Sequence, residues 1–149
     1  MTHFLCEPDP ANIGWYRYDM GEPEQYNRAV LGDLIIRAEG LDHCRTRLQP
    51  TAIHINTLGT IHGGIILGLI DESLYAAMYL LRGIAVTHAV TLDLQTQFIG
   101  GGDASRPLDA VAELLRETRR LVFLRGLVKQ DDDLVASFTA TVRKASEPK

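Results

Sequence analysis

Between His54 and Leu81 the chain reads HINTLGTIHGGIILGLIDESLYAAMYLL, and no other stretch restricts the fold as much. After a His-Gly-Gly junction at His62, Gly63 and Gly64, the residues up to Leu81 are apolar on nearly every side. A helix of that kind must be enclosed by other structure. Its only acids are Asp71 and Glu72, near the middle. Each would cost about 2.5–3.5 kcal/mol at a bilayer centre on insertion scales. The span is long enough to cross a membrane, yet two such charges favour a helix buried in protein.

The flanks are extended. Residues 34–38 and 43–48, broken by Gly40 and Asp42, predict a hairpin. After Pro50, residues 52–56 predict another extended piece leading into the glycine junction. Arg82 and Gly83 end the helix, and residues 86–98 then alternate strictly. Val86, His88, Val90, Leu92, Leu94, Thr96 and Phe98 fall on one side, and Thr87, Ala89, Thr91, Asp93, Gln95 and Gln97 on the other. Period two over this length predicts a long strand with one buried face. Gly100, Gly101 and Gly102 open a loop that lacks the lysine and hydroxyl of a phosphate-binding loop. Three more strands are expected near 108–118, 121–130 and 134–143, with a solvated turn at Asp131, Asp132 and Asp133.

Residues 1–23 carry Pro8, Pro10, Gly14, Gly21 and Pro23 among the aromatics Phe4, Trp15, Tyr16 and Tyr18, without periodicity. They read as an irregular arm whose aromatics pack on the core, followed by a short helix from about Glu24 to Leu31. The expected organisation is an arm over 1–32 and one domain over 33–149. Strands, one long buried helix and four long strands give an α+β fold, an antiparallel sheet wrapped around one central helix.

At 149 residues the chain suits a single core. A net charge of -4 argues against a general nucleic-acid binder. Cys6 and Cys44 have neither metal nor redox spacing and are expected as free thiols. The opening MTHFLCEPDP does not read as a signal peptide, so a cytoplasmic protein is expected. His3, His43, His54 and His88 show no ligand spacing, and no metal is implied.

The central stretch carries the chemistry. At a helix start the N–H groups of Gly63 and Gly64 lack intrahelical partners and can face a cleft, with the helix dipole favouring negative charge on a carbonyl oxygen there. The same glycines are equally suited to a plain strand-to-helix turn. A carboxylate at Asp71, flanked by Leu67, Gly68, Leu74 and Tyr75, would be partly desolvated and a better proton acceptor from water. A solvated or ion-paired aspartate is the alternative. Asp71 follows Gly63 by eight residues, about 12 Å of helix. A water held at one end cannot reach a carbonyl held at the other, so a shared site requires a second chain. The spacing thus predicts a homodimer with composite sites.

Asn56, Gly59, His62, Gly63, Gly64 and Asp71 together resemble the signature of the hotdog-fold thioesterases, and most closely the PaaI-type branch related to hydroxybenzoyl-CoA thioesterase. The similarity runs from about Asp33 to the C-terminus, through Val-Thr-Leu-Asp at 90–93, Phe98 and the 107–110 region, and is missing from residues 1–32. The resemblance implies hydrolysis of an acyl-CoA thioester, with coenzyme A as part of the substrate and no separate cofactor. Gly63 N–H would polarise the carbonyl, Asn56 would help place it, and Asp71 would act as general base or nucleophile. Thr91 would orient the water, and His62 fits the motif in either a catalytic or a structural role. Some relatives use Glu as the helix acid; spacing favours Asp71 here and puts Glu72 against a strand or a partner chain. For the phosphates of coenzyme A, residues 116–129 offer Arg116, Arg119, Arg120, Arg125 and Lys129 against Glu117, with Arg119 and Arg120 the chosen pair. Two other activities fit the fold: an acyl-thioester dehydratase or hydratase, and a non-catalytic acyl-CoA binding module. Dimer or dimer of dimers is left open.

Overall fold

A computed structural model describes residues 4–146. In chain order the strands are β1 (Phe4–Pro8), β2 (Tyr16–Met20), β3 (Leu34–Glu39), β4 (His43–Leu48), β5 (Val90–Phe98), β6 (Leu108–Glu117), β7 (Leu121–Gln130) and β8 (Asp133–Arg143). One long helix, α1 (Gly63–Arg82), separates β4 from β5. All eight strands form one sheet in the order β1-β2-β3-β4-β6-β7-β8-β5, and every pairing is antiparallel.

Local chemistry sets both ends of α1. His62 is extended and caps the helix, its imidazole Nδ1 accepting from Gly64 N–H at 2.8 Å. Gly83 stops it in the left-handed conformation at φ 62°, donating to Met78 and Tyr79 carbonyls, a stop that glycine makes without side-chain strain. Between them Ile65, Ile66, Leu69, Ile70, Leu74 and Met78 are buried. Enclosing each such side chain contributes roughly 1.5–3 kcal/mol. The helix is long and apolar enough to cross a membrane, but 61% of its most apolar window is buried within the molecule. The opposing inward face comes from alternate residues of the strands, among them Ile36, Leu48, Leu108, Leu124 and Val142.

Four local expectations are corrected. The arm is not irregular: β1 and β2 form a hairpin, and Tyr16 to Tyr18 pair with Ile36 to Leu34, so the arm extends the main sheet. Pro10 and Gly14 lie in the loop joining the two strands, and each strand is too short for a period to emerge. Residues 1–3 of the arm lie outside the described residues. Of its aromatics, Tyr18 is in the core and Phe4 meets Tyr18 and Tyr79 edge to face, whereas Trp15 is buried against Arg37 and Arg47 and Tyr16 is exposed. The short helix is a single π-helical turn, Asn27–Leu31. Residues 52–54 form a 3-10 turn rather than a strand, because Thr51 and His54 close a reciprocal cap, and only Ile55 bridges to Ile61.

The fourth correction is β5, which starts at Val90 and lies at the sheet edge. Its register on β8 slips between Thr91 and Asp93: Thr91 pairs with Val142 and Asp93 with Thr141. A bulge of this kind reverses the side on which flanking residues point. Thr91 therefore shares the inward face with Leu94 and Thr96, while Val90, Leu92 and Phe98 are about half exposed. Cys6 and Cys44 are both free thiols, and burial pushes Cys44 up to about 12.

Candidate active site

The sheet does not close completely around α1. Gly64, Leu67, Gly68 and Asp71 recur at i, i+3, i+4 and i+7 and therefore share one helix face. Gly64 and Leu67 are exposed there, and Gly68 and Asp71 half-buried. Edge strand β5 runs along this face, with Thr91 against Asp71 and the Phe98 ring beside Gly63. Across it lies the segment between β2 and β3. Tyr26 donates to the Gly64 carbonyl at 3.3 Å, and a Cβ on Gly68 would fall 2.5 Å from the Tyr26 hydroxyl.

Thr91 Oγ1 donates to Asp71 Oδ1 at 2.7 Å. Tyr75, one turn along α1 from Asp71, completes the cluster: its hydroxyl lies 2.9 Å from Thr91 Oγ1 and accepts the Thr91 N–H at 3.0 Å. Burial raises the Tyr75 phenol, and the neighbouring acids raise it further. Asp71 Oδ2 has no hydrogen-bond partner among the described residues, and neither has Gly63 N–H.

Glu72 faces a strand, one of the two placements expected for it. It is 4% exposed and lies beside Tyr18 of β2. Asn27 reaches it from the π-helical turn, donating to its Oε1 at 2.8 Å and to the Met20 carbonyl at 3.1 Å. Burial first, and the Asp71 charge second, push the Glu72 carboxyl up to about 8. Nothing in the local sequence pairs residues 27 and 72; the hairpin fold brings them together. Tyr75 was legible as a neighbour of Asp71 by its i+4 spacing, but its bond to Thr91 was not.

At the helix start the expected pair of free N–H groups is reduced to one, because His62 occupies Gly64 N–H. The imidazole thus takes the role usually filled by Ser, Thr or Asp at a helix cap. Asn56 spends its side chain within its own turn, donating to Thr60 Oγ1 at 2.9 Å and accepting from Leu58 and Thr60 N–H. It hydrogen-bonds to neither Gly63 nor Asp71. His54 is also spoken for, its Nδ1 accepting from Thr51 N–H and its Nε2 2.6 Å from the Val30 carbonyl.

The basic segment divides. Arg125 pairs with Glu113 and lines, with Lys129, a depression that also holds Glu39 and Arg45. Arg119 and Arg120 sit on the turn joining β6 to β7 and line a separate groove of about 1270 Å³ with Arg82, His88, Arg143 and Lys144. Lys144 is paired with Glu117 and Arg82 with Asp42, whereas Arg119, Arg120 and Arg143 have no carboxylate partner among the described residues. Position along the chain causes the split, since Arg125 and Lys129 lie within β7 and Arg119 and Arg120 on the turn before it.

The sequence from 58 to 137 matches the family model described as Thioesterase superfamily. No curated protein sequence matches the chain. Among solved structures, the TT0310 protein from Thermus thermophilus is 27% identical with a TM-score of 0.67, over 82% of this chain and 99% of that one. A single-site variant of the phenylacetic acid degradation protein PaaI from the same organism is 26% identical with a TM-score of 0.66, over 81% and 100%. The E. coli PaaI protein, at 20% identity and a TM-score of 0.70 over 83% and 86%, shares the fold. With its one-helix antiparallel architecture and its family match, the chain belongs to the thioesterase superfamily as a hotdog-fold member of the PaaI type.

Proposed function

We propose that the protein is an acyl-CoA thioesterase whose active site is shared between two copies of the chain. The observation that carries this reading is Asp71, a carboxylate in an otherwise apolar helix, held by Thr91 on one oxygen and open on the other. In the reaction, a water bound at Asp71 Oδ2 gives up a proton to the carboxylate as its oxygen adds to the thioester carbonyl carbon. The carbonyl becomes an oxyanion and is stabilised by the free Gly63 N–H of the second chain and the positive end of its helix. Collapse breaks the C–S bond, and the proton held by Asp71 passes to the departing thiolate, giving a free acid and coenzyme A. In the alternative course Asp71 Oδ2 itself attacks the carbonyl carbon and the C–S bond breaks, releasing coenzyme A as thiolate and leaving a mixed anhydride. Water then hydrolyses the anhydride, freeing the acid and the Asp71 carboxylate, and a proton from that water ends on the thiolate.

Two features support a second chain. Gly63 and Asp71 lie in one unbroken helix, about 12 Å apart along its axis. The open face of α1 adjoins the unpaired edge of β5, where Val90, Leu92 and Phe98 are 43%, 54% and 52% exposed. Apolar residues along a free edge strand favour covering by another chain. The groove at Arg119, Arg120 and Arg143 suits the phosphates of coenzyme A, since guanidinium forks match phosphate oxygens. Asn56 then acts by shaping the turn before the helix, and His62 by capping it.

The test is release of free thiol from short-chain, long-chain and aryl acyl-CoA. Asp71→Asn should lower kcat by roughly a hundredfold to ten-thousandfold with its melting temperature little changed. Thiol release surviving in Asp71→Asn but lost in Glu72→Gln would overturn the assignment. A dehydratase or hydratase would release no thiol, and a binding module would hold acyl-CoA without turnover.

A further inference from the structure

We infer that Tyr75 is a positioning residue, which acts through Thr91 to hold Asp71 with one oxygen occupied and the other aimed at the open face. The inference deepens the proposed function and rests on Asp71 as its reacting carboxylate. It also alters what the resemblance implied for Thr91, because the bonds in the cluster leave that hydroxyl no proton for water.

Proton bookkeeping fixes the direction of each bond. A threonine hydroxyl has one hydrogen and two lone pairs, and a phenol the same. An ionised Asp71 can only accept, so the Thr91 hydrogen lies on the 2.7 Å contact to Oδ1. The 2.9 Å contact between Tyr75 and Thr91 must then use the phenol's hydrogen. The phenol oxygen takes the Thr91 backbone N–H at 3.0 Å. The chain is closed: Thr91 N–H to Tyr75, Tyr75 O–H to Thr91 Oγ1, Thr91 O–H to Asp71. Thr91 can accept one hydrogen from a water but cannot donate to it.

This arrangement has two consequences. First, Thr91 is pinned to Tyr75 by backbone and side chain together, so its χ1 and the strand around it are fixed relative to α1. Edge strand β5 needs such a tie, since Thr91 lies beside the bulge where its ladder to β8 slips. Secondly, Asp71 cannot swing Oδ1 into the cleft without breaking a charge-assisted bond, and Oδ2 is presented for the reaction. Tyr75 is 8% exposed and sits one turn below Asp71, too deep to be a surface contact. A misplacement of about 1 Å in a reacting group can cost about a hundredfold in rate, so a residue outside the reaction can matter to kcat.

The experiment compares thiol release by wild type, Tyr75→Phe, Thr91→Val, the double variant Tyr75→Phe/Thr91→Val, and Thr91→Ser, with Asp71→Asn as control. Tyr75→Phe should lower kcat by roughly tenfold to a hundredfold with KM held within about twofold. Combined with Thr91→Val it should add no further loss, because both substitutions cut the same chain. Thr91→Ser, which keeps the hydroxyl, should recover most of the activity that Thr91→Val loses. Unchanged kcat in Tyr75→Phe, or losses that multiply in the double variant, would overturn the positioning role. If Tyr75→Phe does not fold, Thr91→Ser decides: a loss as large as that of Thr91→Val overturns the relay. Wild type without thiol release overturns the proposed function and this inference together. Activity lost in Asp71→Asn yet untouched in Tyr75→Phe removes the inference alone.

Discussion

Asp71 and Glu72 are adjacent in sequence and differ in every neighbour. A step of 100° around the helix takes Asp71 to the open face and Glu72 under the hairpin, where burial and the Asp71 charge raise its carboxyl and where a charge on Glu72 would in turn raise the phenols of Tyr18 of β2 and Tyr75 of α1. At about 8 against 4.5 in an unfolded chain, Glu72 takes up a proton on folding near neutral pH. Below about pH 4.5 both states hold that proton and the contribution to stability is full. As pH rises towards about 8 the unfolded chain alone releases it, and stability falls by up to roughly 1.4 kcal/mol per pH unit. Glu72→Gln, which can still accept from Asn27, should flatten the decline of melting temperature between about pH 5 and about pH 8. Equal slopes for wild type and variant in calorimetry would contradict a protonated Glu72. The sequence alone pointed to Asp71 through its isolation among apolar residues. It held no sign of Asn27, 45 positions away from Glu72.

Among the elements, α1 was legible end to end because its signals are local: an apolar run, a junction before it and Gly83 after it. Strand β5 was legible as a strand but not in its facing, since a bulge depends on register against β8, and alternation alone had put Thr91 on the side away from Leu94. The segment joining β2 to β3 was read only as a helix, and its packing across α1 came from the fold. Tyr26 and Gly68 provide the measure of that packing. An added Cβ at 68 collides with the Tyr26 hydroxyl, so Gly68→Ala must push the ring off the Gly64 carbonyl. Against this stands the helix gain of alanine over glycine, about 0.8–1 kcal/mol. Gly68→Ala should therefore be more favourable in a Tyr26→Ala background than in wild type, by about 1 kcal/mol in denaturant unfolding. Identical effects in the two backgrounds would mean that the ring does not rest on the helix in solution.

For the whole molecule, a composite site makes an arithmetical claim. Gly63→Pro removes the N–H at the first helical position, where proline is well tolerated, and the extended His62 before it suits a following proline. Gly63→Pro and Asp71→Asn should each, alone, lose nearly all hydrolysis of acyl-CoA. Refolded or co-expressed together at equal amounts, half the dimers should be mixed. Each mixed dimer rebuilds one of its two sites, restoring about a quarter of wild-type activity. No recovery would place both groups within one chain's site and defeat the shared arrangement. The order of the sheet, with β5 beyond β8, was not readable from the chain because pairing between distant strands depends on the closed fold.

The hairpin that covers Glu72 is fastened at its far end by Trp15, whose ring has the guanidinium groups of Arg37 and Arg47 over it, 4.6 and 4.8 Å from its centre. Both arginines are held from behind, Arg37 by Glu39 and Arg47 by Asp109. Trp15 is the only tryptophan in the chain. Its emission is therefore a signal from one place, and it reports whether the hairpin is seated on β3 and β4. Fluorescence can follow the undocking of that cover separately from the loss of helix seen by circular dichroism, which turns the covering hairpin into an optical gauge of its own attachment.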